Sequence, residues 1–158
     1  MDDAVRAFLT EKVAQEPYAR HLGLRLVAMD TGYALVEMDF DENKQNIHGL
    51  AHGGAVFSLI DEAFEIASNS HGIMAVALNM NVTYMASPRL GTTLRAEATE
   101  VHRTVRTASY QIRVTDADGT LIAMCQALVY RKKDKAFAAT TSPMAKEDVA
   151  AGEGALST

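Results

Sequence analysis

Along most of the chain after residue 22 apolar and polar positions alternate, and one stretch breaks the alternation. Residues 46–72, NIHGLAHGGAVFSLIDEAFEIASNSHG, pass from a polar, glycine-bearing loop into a segment holding Ala55, Val56, Phe57, Leu59, Ile60, Ala63, Phe64, Ile66 and Ala67. At helical spacing these positions cover nearly every direction, the pattern of a centrally buried helix rather than a surface one. Asp61, Glu62 and Glu65 interrupt it, and the helix is expected to end near Gly72.

The flanking segments have a period of two. A first strand is predicted over residues 23–29, then a turn at Thr31-Gly32, then a strand in which Ala34, Val36, Met38 and Phe40 alternate with Glu37 and Asp39. After the helix, Val76, Leu78, Met80, Val82 and Tyr84 alternate with Ala77, Asn79, Asn81 and Thr83, until Ser87-Pro88-Arg89-Leu90-Gly91 stops the pattern. Three more strands are expected over residues 93–102, 107–116 and 121–131, with a hairpin turn at Asp116-Ala117-Asp118-Gly119. One apolar helix with strands on both sides of it in sequence is best buried by a curved antiparallel sheet wrapped around it. That is an α+β layer arrangement.

The ends differ from this body. Asp2 or Asp3 can cap a short peripheral helix within residues 1–16, with Val5, Phe8, Leu9 and Val13 at helical spacing and Pro17 closing the pattern. Residues 133–158 are small and polar without a sustained period, so a single domain over residues 1–132 and a flexible tail are expected.

Composition narrows the function classes. A chain of 158 residues, 48% hydrophobic and 22% charged, suits one globular domain with a real core. Its net charge of −5 argues against a nucleic-acid surface. No apolar run is long enough for a membrane span, the acidic amphipathic start does not read as a secretory signal, and the lone Cys125 cannot close an internal disulfide. A cytoplasmic protein is expected.

The candidate chemistry sits at the start and middle of the long helix. Gly53 and Gly54 leave the first helical N–H groups without intrahelical acceptors, where they can polarise an oxygen. Asp61 shares a face with Phe57, Phe64 and Glu65, while Glu62 lies about 100° away near Ser58 and Ile66. A carboxylate on a buried helix is costly unless paired or bonded, and an acid beyond a donor-rich helix start suits attack on a carbonyl held there. Burial and the like charge of Glu65 are both expected to raise its pKa. Glu62 and Glu65 are the alternative bases, otherwise read as solvated or interface acids. His48 and His52 are separated by a glycine-bearing loop and lack evident third and fourth partners, so no metal is expected.

The run Asn46-Ile47-His48-Gly49-Leu50-Ala51-His52-Gly53-Gly54, followed by Phe57-Ser58-Leu59, Asp61, Ala63-Phe64 and Asn69-Ser70, resembles the phenylacetate-pathway (PaaI-type) acyl-CoA thioesterases of the hot-dog superfamily. A weaker likeness extends over roughly residues 20–132. The resemblance implies the hot-dog fold and hydrolysis of an acyl-CoA thioester, such as phenylacetyl-CoA or hydroxyphenylacetyl-CoA, with no cofactor beyond the coenzyme A of the substrate. It further implies that Gly53 N–H binds the thioester oxygen and that Asp61 acts as general base or as nucleophile. His52 and Asn46 would set the geometry, with Gly54, Asn79, Asn81 and Arg89 as substrate-binding candidates. It also implies a homo-oligomer, with a dimer as the minimum active unit and a tetramer as the expected particle. The chain departs from the family at Ala77, where some relatives carry Ser or Thr, and at residues 103–106, which lack a glycine that relatives often show. Two rival classes are a hot-dog dehydratase or hydratase acting on 3-hydroxyacyl thioesters, and a non-catalytic acyl-CoA binding protein.

Overall fold

The computed structural model describes residues 1–136. Its elements are α1 (Asp3–Gln15), α2 (Pro17–Leu22), β1 (Arg25–Asp30), β2 (Tyr33–Asp39), a 3-10 turn (Glu42–Lys44), α3 (Gly53–Asn69), β3 (Ile73–Tyr84), β4 (Thr93–Arg103), β5 (Thr107–Thr115) and β6 (Leu121–Ala136). Every pairing is antiparallel, in the order β1-β2-β4-β5-β6-β3. The strands that follow α3 therefore do not simply extend the first hairpin. β3 crosses to the far edge, and β4 returns beside β2.

The sheet curls around α3, whose Val56, Leu59, Ile60, Ala63, Phe64, Ile66 and Ala67 are all buried. Facing them are Val36 and Met38 of β2, Leu94 of β4, Ile112 and Val114 of β5 and Ile122 of β6. Each fully buried Leu, Ile or Phe contributes about 1.5–3 kcal/mol relative to exposure, so this cluster dominates the stability of the fold. Ala96 and Ala98 on β4 are completely buried, and such small side chains let a helix seat closely on a strand. Phe64 meets Tyr110 edge to face, with ring centres 5.4 Å apart.

Polar contacts hold the end of the helix. Asn69 accepts from the Ala75 N–H (2.9 Å) and donates to Glu65 O (2.9 Å), tying the last turn to the first residues of β3. Ser70 Oγ accepts from the Gly32 N–H (2.7 Å) and donates to Ala67 O (2.7 Å), joining the same helix end to the β1–β2 turn. Gly72 has φ +73°, and a Cβ there would lie 2.8 Å from Val5 Cγ2 of α1. Only glycine meets both demands. The helix stops at Asn69, three residues before the glycine expected to end it.

Other differences from expectation have local causes. Pro17 closes α1 and also opens α2, where its missing N–H costs nothing at the first helical position. The predicted strand over residues 23–29 begins only at Arg25, because Gly23 is the left-handed cap of α2. β6 continues past Arg131 to pair Ala136 with Ile73, so the domain runs beyond residue 132. The remainder of the expected tail, 137–158, lies outside the described residues. Arg131 is not a surface cation. It is buried and donates through Nη1 to Thr104 O (2.7 Å), bracing the β4–β5 turn. Among the described residues no helix is long and apolar enough to cross a membrane.

Candidate active site

The loop before α3 is held by its own polar groups. Asn46 Oδ1 accepts from the His48 N–H (2.8 Å) and the Leu50 N–H (3.2 Å), while its backbone N–H donates to Leu50 O (2.8 Å). The His52 N–H reaches back to Lys44 O (2.8 Å), which closes the loop and sets the direction in which the helix starts.

His52 is the N-cap residue of α3, and its Nδ1 accepts from the Gly54 N–H (2.9 Å). Gly54 N–H, which the sequence allowed as a second oxyanion donor, is thereby engaged by the cap. The Gly53 N–H, at the first helical position, has no intrahelical acceptor and keeps that capacity. Gly53 O accepts from Tyr84 Oη (3.0 Å), so the end of β3 fixes the helix start. Space is tight at Gly54 and ordinary at Gly53. A Cβ on Gly54 would stand 3.0 Å from His52 Nδ1, and one on Gly53 would stand 3.4 Å from the Tyr84 ring. A cleft of about 420 Å³ opens here, lined by Asn46, Ala51, Gly53, Tyr84, Ser87 and Ile122 among others.

Asp61 opens elsewhere. It lines a hollow of about 250 Å³ with Phe64, Glu65, Ser68, Ala75, Val76 and Ala77. It follows Gly53 by eight positions on one straight helix, about 12 Å along the axis at about 1.5 Å per residue. A single thioester carbon cannot be within reach of both groups of one chain. Burial raises the Asp61 carboxyl above its ordinary value. The expected push from Glu65 is not among the causes, although Asp61 does help to raise Glu65, after burial and the charge of Glu16. Ala77 presents a methyl to this hollow, where a hydroxyl is absent as the sequence indicated.

The remaining candidates are dispersed. Asn79 and Asn81 are exposed on β3 and point away from the side of Met80 and Val82, which pack on the core. Neither lines the Gly53 cleft or the Asp61 hollow. Arg89 is exposed in the β3–β4 loop, two residues beyond Ser87 on the cleft wall. His48 is exposed and joins no group of three metal-capable side chains among the described residues. Cys125 is buried, and burial pushes its thiol up to about 11, which leaves it unreactive.

Sequence reasoning missed three features. Tyr84 read only as the last alternating residue of a strand, yet its hydroxyl anchors Gly53. Val76 and Leu78, which the alternation groups with Met80 and Val82, are exposed, because a register shift between Ala77 and Asn79 re-aims the strand. Glu62, read as a solvated or interface acid, is 5% exposed and belongs to a cluster with Glu16 and Glu65.

Comparison with known proteins gives the family and the fold. Residues 48–123 match the family described as the thioesterase superfamily. A protein of Archaeoglobus fulgidus, whose name gives it only a provisional esterase class, is 43% identical over 70% of this chain and 71% of its own. The acyl-coenzyme A thioesterase PaaI of Escherichia coli K12 is 34% identical over 72% of this chain and 81% of its own. The solved structure of Escherichia coli PaaI superposes with a TM-score of 0.78 at 30% identity, covering 81% of this chain and 93% of that one. A Streptococcus mutans UA159 protein solved with acetyl-CoA bound superposes with a TM-score of 0.66 at 28% identity, covering 69% of this chain and 88% of that one. With α3 enclosed by a six-stranded antiparallel sheet and the His-Gly-Gly start in place, the chain belongs to the hot-dog superfamily of thioesterases and is an acyl-CoA thioesterase by class.

Proposed function

We propose that the chain hydrolyses aryl-acetyl thioesters of coenzyme A, phenylacetyl-CoA or a ring-hydroxylated form, in a site shared between two subunits. One observation carries the shared site. Gly53 N–H and Asp61 lie about 12 Å apart along one helix and open into separate clefts, which supports a reading in which a second copy supplies one of them.

The exposed edge of β3 supports a dimer. Among the described residues β3 pairs only with β6, which leaves its other edge open, and its Val76 and Leu78 stand exposed. Antiparallel pairing of two such edges would run the two α3 helices in opposite directions. Asp61 of one chain would then approach Gly53 of the partner subunit. Two such dimers make the expected tetramer, and a reducing cytoplasm suits the buried, unpaired Cys125.

In this reading Gly53 N–H binds the thioester oxygen and accommodates the charge that develops there, aided by the positive end of α3. Asp61 either deprotonates a water that attacks the carbonyl carbon or attacks it directly. The C–S bond then breaks, coenzyme A leaves as the thiol and the free acid is released. His52 holds the helix start, and Asn46 holds the loop beside the carbonyl. Arg89 lies on the rim where the coenzyme would enter, while Gly54 serves the His52 cap and not the substrate.

The test is thiol release from phenylacetyl-CoA by wild type and Asp61→Asn, with the mass of each particle measured by light scattering. Release by a wild-type oligomer and its near-complete loss in the variant are expected. No release from phenylacetyl-CoA but release from straight-chain acyl-CoA would refute the aryl preference alone. Hydration of crotonyl-CoA without thiol release would move the chain to the dehydratase class.

A further inference from the structure

We propose that Glu16, Glu62 and Glu65 bind a hard divalent cation at the place where the α1–α2 junction meets α3, beside the hollow that Asp61 and Glu65 line. One carboxylate oxygen from each residue lies within 4.8 Å of those of the other two. Glu62 and Glu65 stand one turn apart on α3. Glu16 is both the last residue of α1's cap and the N-cap residue of α2, where its side chain makes no capping hydrogen bond.

A second observation shows that the cluster lacks something. Glu62 is 5% exposed, and its Oε1 is buried with no hydrogen-bond partner. Among the described residues none of the three acids forms an ion pair within 4.0 Å. The ammonium of Lys12, one turn before Glu16, instead sits 5.6 Å from the centre of the Phe8 ring. A buried carboxylate facing two others is unfavourable until something neutralises it. A single proton shared by two of them leaves the third charge and the orphaned Oε1 unanswered. A cation among the three answers both.

The donor set fixes the class of ion. Oxygen ligands alone, with no His or Cys in the group, suit magnesium, manganese or calcium rather than zinc or copper. Calcium–oxygen distances of about 2.3–2.6 Å place opposite ligands about 5 Å apart, which accommodates oxygens spaced as these are. Glu65 is exposed, giving the ion a path in and room for waters to complete its shell. The bound ion would fasten the N-terminal helices to α3.

The test uses the full chain, stripped with a chelator and titrated with Mn²⁺, Ca²⁺ and Mg²⁺ by calorimetry, with free Mn²⁺ also read by electron paramagnetic resonance. One saturable site per chain is expected, together with a higher Tm on adding the favoured ion. Glu62→Gln and Glu16→Gln should each weaken binding by about tenfold or more and remove the rise in Tm, because each deletes a charged ligand. Glu11→Gln, an exposed acid one turn before Gln15 on α1, should bind as wild type does. Circular dichroism checks that the variants are folded. No saturable binding by wild type, or equal binding by wild type and both ligand variants, would overturn the proposal and leave a shared proton as the neutralising group.

Discussion

The Gly54 N–H donates to His52 Nδ1 over 2.9 Å, so this nitrogen carries a lone pair and the neutral imidazole must hold its proton on Nε2. One side chain thereby caps α3 and presents a donor beyond it. The two duties can be separated by substitution. His52→Ala should cost about 1 kcal/mol of stability through the lost cap, while His52→Asn, a good N-cap residue, should keep most of it. Both should lose turnover if Nε2–H helps to position the thioester. Urea unfolding and thiol release on the same samples measure the split, and an active His52→Asn would reduce His52 to a capping role.

Burial raises the Asp61 carboxyl, which makes it a stronger base than a solvated aspartate and places its loss on the acid side of the pH profile. The active form is the carboxylate, so kcat/KM should fall as pH drops through a midpoint above the ordinary aspartate value. Asp61→Asn removes both a base and a nucleophile and should lower kcat by roughly 10²–10⁴-fold. A profile flat down to the ordinary aspartate range would show that Asp61 is not the titrating group.

Tyr84 Oη donates to Gly53 O from the end of β3, holding the helix start whose N–H is assigned to the oxyanion. Tyr84→Phe should cost about 1 kcal/mol in stability, the usual net value of such a bond. A loosened Gly53 should lower kcat several-fold with KM little changed, which steady-state kinetics would resolve. Equal loss in stability without any change in kcat would confine Tyr84 to packing.

Much of this arrangement was legible in the sequence because it rests on periodicity. The all-round apolar pattern of residues 55–67 could only be a helix buried by its surroundings, and the period-two runs could only be a sheet wrapped on it. Asp61 and the His-Gly-Gly start were legible for a different reason, since costly or conformationally special residues stand out within an apolar run. What escaped depends on contacts between distant positions. Glu16 lies 46 positions before Glu62, and nothing local marks either as the other's neighbour. The bulge between Ala77 and Asn79 likewise comes from β6 pairing, which left Val76 and Leu78 exposed although strict alternation groups them with Met80 and Val82.

The buried acid gives the last prediction, for protein kept free of metal by a chelator. Burial, then the charges of Glu16 and Glu65, push the Glu62 carboxyl up to about 8 from an ordinary 4.5. The folded chain thus holds a proton at Glu62 that the unfolded chain has already released across that interval. Stability from this group is fully present below pH 4.5 and is lost as pH rises toward 8. The loss is on the order of a few kcal/mol, since one pKa unit corresponds to about 1.4 kcal/mol. Glu62→Gln keeps the shape and cannot ionise, so its urea midpoint should change less between pH 5 and 8.5 and exceed that of wild type at the upper end. A wild type that gains stability over this range relative to Glu62→Gln would mean that the carboxylate finds a cationic partner once it ionises.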